Sequence, residues 1–217
     1  MAKETRPNTY ARIVEASLVL FNEEGERNIS TNHIAAHLGI SPGNLYYHFR
    51  NKDEIILQLH QQYSSRMMAW IRGAELPKSI DMVVEHLTGV FDIMWDYRFL
   101  FSDMNSLLSR SAELLGDHNE FTRAKASPRV LHYLETLVGQ GLLQASREDL
   151  QSLALNLWII TKYWFDFHGS VRGRDKLGAE SKQLGVLRDL SLLRPYVAAE
   201  HREALEAAVA RLMPVRS

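Results

Sequence analysis

An all-α fold is what this sequence predicts. Apolar residues recur three and four positions apart along nearly every segment, the period of one face of a helix. Helix starts and stops are marked throughout, by Ser or Asn before an apolar run and by Gly or Pro after it. No stretch alternates apolar and polar residues as a half-buried strand does, and no internal repeat or low-complexity segment is present. Nine to ten helices and no sheet are expected.

Residues 1–8 read either as a disordered, solvated tail or as an arm beside DNA, with Lys3 and Arg6 able to touch its backbone. The first helix is expected from Thr9 to Glu24, with Ile13, Ala16, Leu20 and Phe21 inward, Arg12 on the opposite side and Gly25 as the stop. Ser30 to Glu54 is the most informative stretch. Ser30 is a good N-cap, because its hydroxyl can accept from a first-turn N–H, and Ile34, Ala35 and Leu38 follow at helical spacing. Gly39 supplies the left-handed residue that follows a helix end. Ser41 then caps a new helix, and Pro42 takes its first position, where a missing N–H costs nothing. Leu45 and Phe49, four apart, face inward together. Asn44, Tyr46, Tyr47 and His48 are left on the outer surface of a helix only about two turns long.

A short helix showing a row of hydrogen-bonding side chains suits a recognition helix, which sets its first residues against base edges in a major groove. The phenols and Lys52 would then reach phosphates on either side. The same spacing fits a small helical hairpin whose aromatics merely pack, and spacing alone leaves both open.

A long fourth helix starts at Asn51 as N-cap, with Glu54 making a box-like pair three positions on. Ile55, Ile56, Leu59, Tyr63, Met67, Trp70 and Ile71 keep the spacing to Gly73, roughly 33 Å of helix. Leu76-Pro77 is a break. Ser79 caps a fifth helix to about Met94, and residues 95–101 are dense in aromatics. Ser102 to Leu115 reads as a helix and Gly116-Asp117 as a turn. The next helix covers about Asn119 to Val138, with a kink or a helix start expected at Pro128. Ser146-Arg147-Glu148-Asp149 is a capping signal. It opens a helix to about His168 that is apolar on nearly all sides and is therefore expected to be buried from several directions. Gly169 to Gly178 reads as a polar loop with Arg172, Arg174 and Lys176. Two last helices, about 180–193 and 199–212, are separated by Pro195.

Apolar content of 46% and charged content of 24% are those of an ordinary soluble domain. The absence of cysteine excludes disulfides and thiolate metal sites and agrees with a cytoplasmic setting. MAKETRPNTY is not expected to act as a secretory signal. The most apolar segment, Leu153 to Phe167, is interrupted by Asn156, Lys162 and Asp166, so no membrane span is expected. His33 and His37 are four apart, but no third ligand accompanies them and no metal site is expected. No nucleophile elbow or Gly-rich phosphate loop appears, so neither enzyme chemistry nor a cofactor is expected. Net charge is −1, and residues 1–60 hold six Lys/Arg against seven Asp/Glu, which is no basic footprint. Most of those acids sit at Glu23 to Glu26 or after Asn51, away from the presumed reading face. Few ionic contacts and a shallow salt dependence follow.

Ile34-Ala35-Ala36, Leu38-Gly39-Ile40-Ser41, and above all Gly43-Asn44-Leu45-Tyr46-Tyr47-His48-Phe49 with Asn51-Lys52-Asp53, resemble the N-terminal domain of the tetracycline-repressor (TetR) family. Ala16, Leu20-Phe21 and Gly25 fit the family's first helix. The likeness covers about residues 8–60 by motif and the rest by length and helix count alone. It implies a helix-turn-helix DNA-binding domain over residues 1–50 and a larger ligand-binding and dimerisation domain over 51–217. It also implies a homodimer on a palindromic double-stranded operator, most often as a repressor, released by a small-molecule effector. Ser30, Thr31, Asn32, Ser41, Gly43, Asn44, Tyr46, Tyr47, His48 and Lys52 are the expected DNA residues, Asn44 the base reader. An effector cavity is expected among Phe91, Trp95, Phe101 and Tyr163, oriented by Asn105, Arg129, His132 and Asn156, although the aromatics equally suit a plain core. Leu153 to Phe167, with Leu187, Leu190 and Leu193, is the expected dimer face. Two departures stand out. Glu26 follows Gly25 where the family commonly has an aromatic, and His33 occupies a capping-box position that is often acidic.

Overall fold

Caps and breakers divide the chain much as its sequence marks them. The computed structural model describes residues 8–73, 75–173 and 177–213, and among these its regular elements are twelve α-helices with short π and 3-10 turns. Lys3, Arg6, Arg174 and Lys176 lie outside the described residues. α1 (Thr9–Leu20) is capped by Asn8 and ends in a π turn, Phe21–Gly25, so the regular helix stops four residues short of Glu24. Then come α2 (Thr31–Leu38), α3 (Pro42–His48) and α4 (Lys52–Gly73). α5 (Ile80–Asp96) starts where Ser79 Oγ accepts from Met82 N–H at 3.3 Å.

The middle of the chain departs from expectation. The segment expected as one helix from Ser102 to Leu115 is split among α6 (Arg98–Ser102), α7 (Met104–Arg110) and α8 (Ala112–Glu120). The breaks fall at Asp103 and at extended Ser111, whose hydroxyl caps α8 by accepting from Leu114 N–H at 3.2 Å. Helix therefore runs through Gly116 and Asp117, where a turn was expected. A π turn, Phe121–Ala126, leads into α9 (Ser127–Gly139), and Pro128 sits in its first turn. α10 (Arg147–Arg172) opens with a full capping box between Ser146 and Asp149 and continues past His168. α11 (Ala179–Leu193) and α12 (Arg202–Leu212) follow. An isolated antiparallel bridge, Leu143 to Val197, ties the α9–α10 turn to the α11–α12 turn. No helix among the described residues is long and apolar enough to cross a membrane.

Two compact units result. The first holds the described part of Met1–Ser64 together with Tyr97–His118. Its core is built on fully buried Ile13, Phe21, Ile34, Leu45, Ile55, Leu59 and Leu100. Phe21 packs against Phe99 with ring centroids 5.2 Å apart, and Asn22 Oδ1 accepts from Phe99 N–H at 3.1 Å, fixing the start of α6 on α1. The second unit holds Ser65–Asp96 and the described part of Asn119–Ser217. α11 packs on both α5 and α10. Gly185 lets it do so: a Cβ there would fall inside van der Waals contact with the Phe91 ring.

Candidate nucleic-acid interface

The interface grows from capping chemistry. Ser30 Oγ accepts from His33 N–H at 3.2 Å, and His33 Nδ1 accepts from Ser30 N–H at 3.4 Å. The imidazole thus completes the capping box that an acid usually completes, without adding negative charge. α2 ends at Gly39, φ 65°, where Gly39 N–H donates to Ala36 O and Ile40 N–H to Ala35 O. Ser41 Oγ accepts from Asn44 N–H at 3.1 Å, and Pro42 opens α3. Leu45 and Phe49 are buried, and Tyr10 of α1 stacks on Phe49 at 4.7 Å while its hydroxyl donates to Gln58 at 2.6 Å. That leaves Pro42, Gly43, Asn44, Tyr46 and Tyr47 exposed, Tyr47 at 85%. Tyr46 Oη lies 3.0 Å from Thr31 Oγ1, so the two hydroxyls share a proton across the turn. Beside them an open groove of about 350 Å³ is walled by Arg27, Asn28, Thr31, Tyr46, Arg50 and Asn51.

Of the expected DNA residues, Ser30, Asn32, Ser41, Gly43, Asn44, Tyr46 and Tyr47 are exposed and Thr31 and His48 half-buried, and one member of the set behaves differently. Lys52 is turned inward. Its ammonium meets Glu26 O and Ile29 O, each at 3.0 Å, and Glu26 Oε1 at 2.7 Å, which uses its three donors within the chain. Arg12, expected on the free side of α1, has a similar fate, since its guanidinium donates to Leu38 O at 3.3 Å.

Glu26 is the hub. It is only 7% exposed, and Arg110 at the end of α7 reaches it at 2.6 Å while also meeting Asp53 at 3.2 Å. Burial opposes ionisation of Glu26, but hydrogen bonds and charge from Arg110 and Lys52 outweigh it and hold the carboxyl below its ordinary range. A salt-bridged cluster stands where the family commonly packs an aromatic. Arg27 adds a second tie to α7, pairing with Asp103 and donating to Ser106 at 2.9 Å. The start of α4 also differs in detail from the expected box. Asn51 Oδ1 caps it, accepting from Glu54 N–H at 2.9 Å, but the Glu54 carboxylate accepts from Arg50 N–H at 2.7 Å rather than from Asn51.

The residues expected around an effector are divided between the two units. Phe91 is buried on α5 and Trp95 packs on Phe165 at 5.6 Å, both in the second unit, whereas Phe101 packs on Tyr63 in the first. Asn105, His132 and Asn156 are exposed, Tyr163 is 38% exposed, and Arg129 donates to Lys125 O in the π turn before α9. A different polar–aromatic set lies in the second unit. Trp70, His86 and Tyr133 stack in sequence at 6.1 and 4.4 Å. Burial drives the His86 pKa down to about 4.

α10 is not buried all round. Leu155, Ile159, Tyr163, Phe167 and Val171 recur every four residues as one apolar stripe, 38% to 67% exposed. Leu187, Leu190 and Leu193, expected on the same outward face, are buried instead. Hydrophobicity did not separate the two sets, because both are made of large apolar side chains. The four-residue phase of the stripe was the only signal.

A three-helix head that offers a short polar helix, joined to a longer helical body, defines the helix-turn-helix transcriptional regulators. Comparison narrows this. Residues 13–59 match the family described as bacterial regulatory proteins, tetR family, and residues 62–205 match the family TetR, described as bacterial transcriptional repressor. A TetR-family transcriptional regulator from Marinobacter aquaeolei VT8, known from its crystal structure, is 36% identical over 95% of this chain and 100% of its own, with a TM-score of 0.85. An HTH-type transcriptional regulator of Staphylococcus aureus is 44% identical over 62 residues, which are 29% of this chain and 33% of that protein. The chain thus spans about a third of that relative's length. A transcriptional regulator from Saccharomonospora viridis, solved in complex with choline, shares the fold with a TM-score of 0.64 at 16% identity over 83% of this chain and 94% of its own. The chain belongs to the TetR family of DNA-binding transcriptional regulators, which are not enzymes.

Proposed function

We propose that the protein is a ligand-responsive repressor that binds a palindromic operator as a homodimer and is released by a small apolar or amphipathic effector. The observation that carries this is the outward face of α3, whose polar side chains stand clear of the core while Leu45 and Phe49 anchor the helix from behind. In this proposal residues 1–50 read DNA and residues 51–217 hold the effector and the dimer contacts. Asn44 faces bases. Ser30, Thr31, Asn32, Ser41, Tyr46, Tyr47 and His48 set the register on the backbone, with Gly43 admitting close approach. Lys52 acts one step back, clamping the turn before α2.

The apolar stripe on α10 supports a dimer. Five large apolar side chains in one row are costly to leave in water, and an identical stripe on a second copy would cover them about a two-fold axis. Two reading helices then address half-sites about one DNA turn, 34–36 Å, or a multiple apart. Effector binding is supported by the second unit, where Nδ1 of His86 and the hydroxyl of Tyr133 are buried beside Trp70 without hydrogen-bond partners among the described residues. Such groups gain from a guest that supplies the missing bonds. The S. viridis neighbour, with choline bound, agrees with a fold that takes small molecules. Release follows if the effector favours a spacing of the two heads that no longer matches the operator.

The test is a titration of the purified protein with DNA from upstream of its own gene at two salt concentrations. Saturable, sequence-dependent retardation in two-subunit steps is expected. Weak binding, equal for all sequences and abolished by modest salt, would count against the proposal.

A further inference from the structure

The chemistry of α3 restricts which base it can read. From Ser41 to Phe49 there is no Arg, Lys, Asp or Glu. Base edges in the major groove differ in donor and acceptor pattern. Guanine O6 and N7 ask for two donors on one group, as Arg or Lys provides. Cytosine N4 asks for an acidic acceptor. Adenine asks for one donor, to N7, and one acceptor, from N6–H, and a side-chain amide offers that pair. Asn44 is the only amide on this helix.

Geometry leaves that amide available. The backbone N–H of Asn44 is taken by the Ser41 cap, but its side chain is exposed and makes no hydrogen bond among the described residues. The neighbouring polar groups are more committed. Tyr46 Oη is shared with Thr31 Oγ1, and the His48 ring is held edge-on by Tyr10 at 6.3 Å and Tyr47 at 5.1 Å. On the N-terminal side of Asn44, Gly43 has no side chain to hold the helix off a base, and Pro42 presents an exposed apolar ring. An apolar group at that place suits the methyl of a thymine.

We infer that Asn44 reads an adenine in each operator half-site, its amide N–H donating to N7 and its carbonyl accepting from N6–H, with Pro42 against a thymine methyl next to it. This rests on the proposal that α3 is the reading helix. The half-sites are then specified chiefly at A·T pairs under the start of α3, and guanine is not read by this helix.

Selection of bound sequences from a pool of random duplexes, with the full-length protein, tests it. The expected result is a symmetric site whose two halves share an A·T pair. Replacing that adenine by 7-deazaadenine removes N7 alone. It should weaken wild-type binding about tenfold and leave Asn44→Ala unaffected. Asn44→Ala, with an unchanged melting temperature, should select sites relaxed at that pair and unaltered elsewhere. A symmetric site with G·C at the shared pair, or an Asn44→Ala variant that keeps every base preference, would overturn the adenine assignment while leaving α3 as the reader. No enriched sequence at all, at low salt, would overturn the reading role of α3 and this inference with it.

Discussion

Lys52 and Tyr47 sit within one turn of α3 and α4, yet their substitutions should have opposite signatures. Lys52 serves three internal acceptors, so Lys52→Met leaves Glu26 and two carbonyls short of a donor. A loss of about 1–3 kcal/mol of stability is expected by chemical denaturation. Tyr47 is 85% exposed, and Tyr47→Ala should stay within about 0.5 kcal/mol of wild type while weakening operator DNA in a gel-shift titration. Glu26 makes the head sensitive to acid. Its folded-state pKa lies below the ordinary 4.5, so below that pH the unfolded chain binds more protons than the folded one. Its stabilisation is present in full above about pH 4.5 and is lost as pH falls through the lowered value. The gap in melting temperature between wild type and Glu26→Gln should be widest near neutrality and narrow as pH falls below 4.5. Much of this residue-level detail was legible beforehand where it is local. Ser30, Ser41, Asn51 and Ser146 cap as their sequence contexts dictate, because a cap needs only the next three residues. The inward turn of Lys52 was not legible. It depends on Glu26 and, through it, on Arg110, which lies 84 positions further along the chain.

At the scale of elements, α10 is the helix to perturb. An all-round apolar composition suggested burial on every side, whereas the stripe from Leu155 to Val171 is exposed. Hydrophobicity alone cannot say which face of such a helix is covered by its own chain and which is left for a partner. That is decided by where α11 packs, and Gly185 against Phe91 helps to fix α11 in place. A charge in the middle of the stripe should separate dimerisation from folding. Ile159→Glu is expected to keep the helical circular-dichroism signal, to sediment as a monomer at concentrations where the proposed wild-type dimer forms, and to bind the operator at least about tenfold more weakly. The α6–α8 region shows the converse limit. Ser102 to Leu115 was legible as helix, but the start of α8 and its passage through Gly116 and Asp117 depend on one hydroxyl, Ser111, outcompeting a glycine and an aspartate that look like a turn.

For the molecule as a whole, the stability profile should carry the mark of a buried acid. Asp189 on α11 is 1% exposed, and Thr161 donates to one of its oxygens at 2.9 Å while the other has no partner among the described residues. Burial raises its pKa to about 8, against a smaller opposing effect of the Thr161 bond. The folded state then binds more protons than the unfolded state between about pH 3.8 and 8, so this group lowers stability as pH rises across that range. Asp189→Asn keeps the acceptor for Thr161 and removes the titration. It should raise the melting temperature at pH 8 by a few degrees and flatten its decline from pH 5 to 8. The division into units bears on how the protein can be taken apart. Phe99, Asp103 and Arg110 all belong with the head, although their segment is separated from it in sequence by the whole of α5. A fragment that ends with α4 would strip Glu26 of one of its two cations and open Phe21 to water. A chimera that transplants this head onto another regulator's body has to bring residues 97–118 with it. The cut must then be made at three places in the chain, near Ser64, Asp96 and His118, where a beads-on-a-string arrangement would need only one.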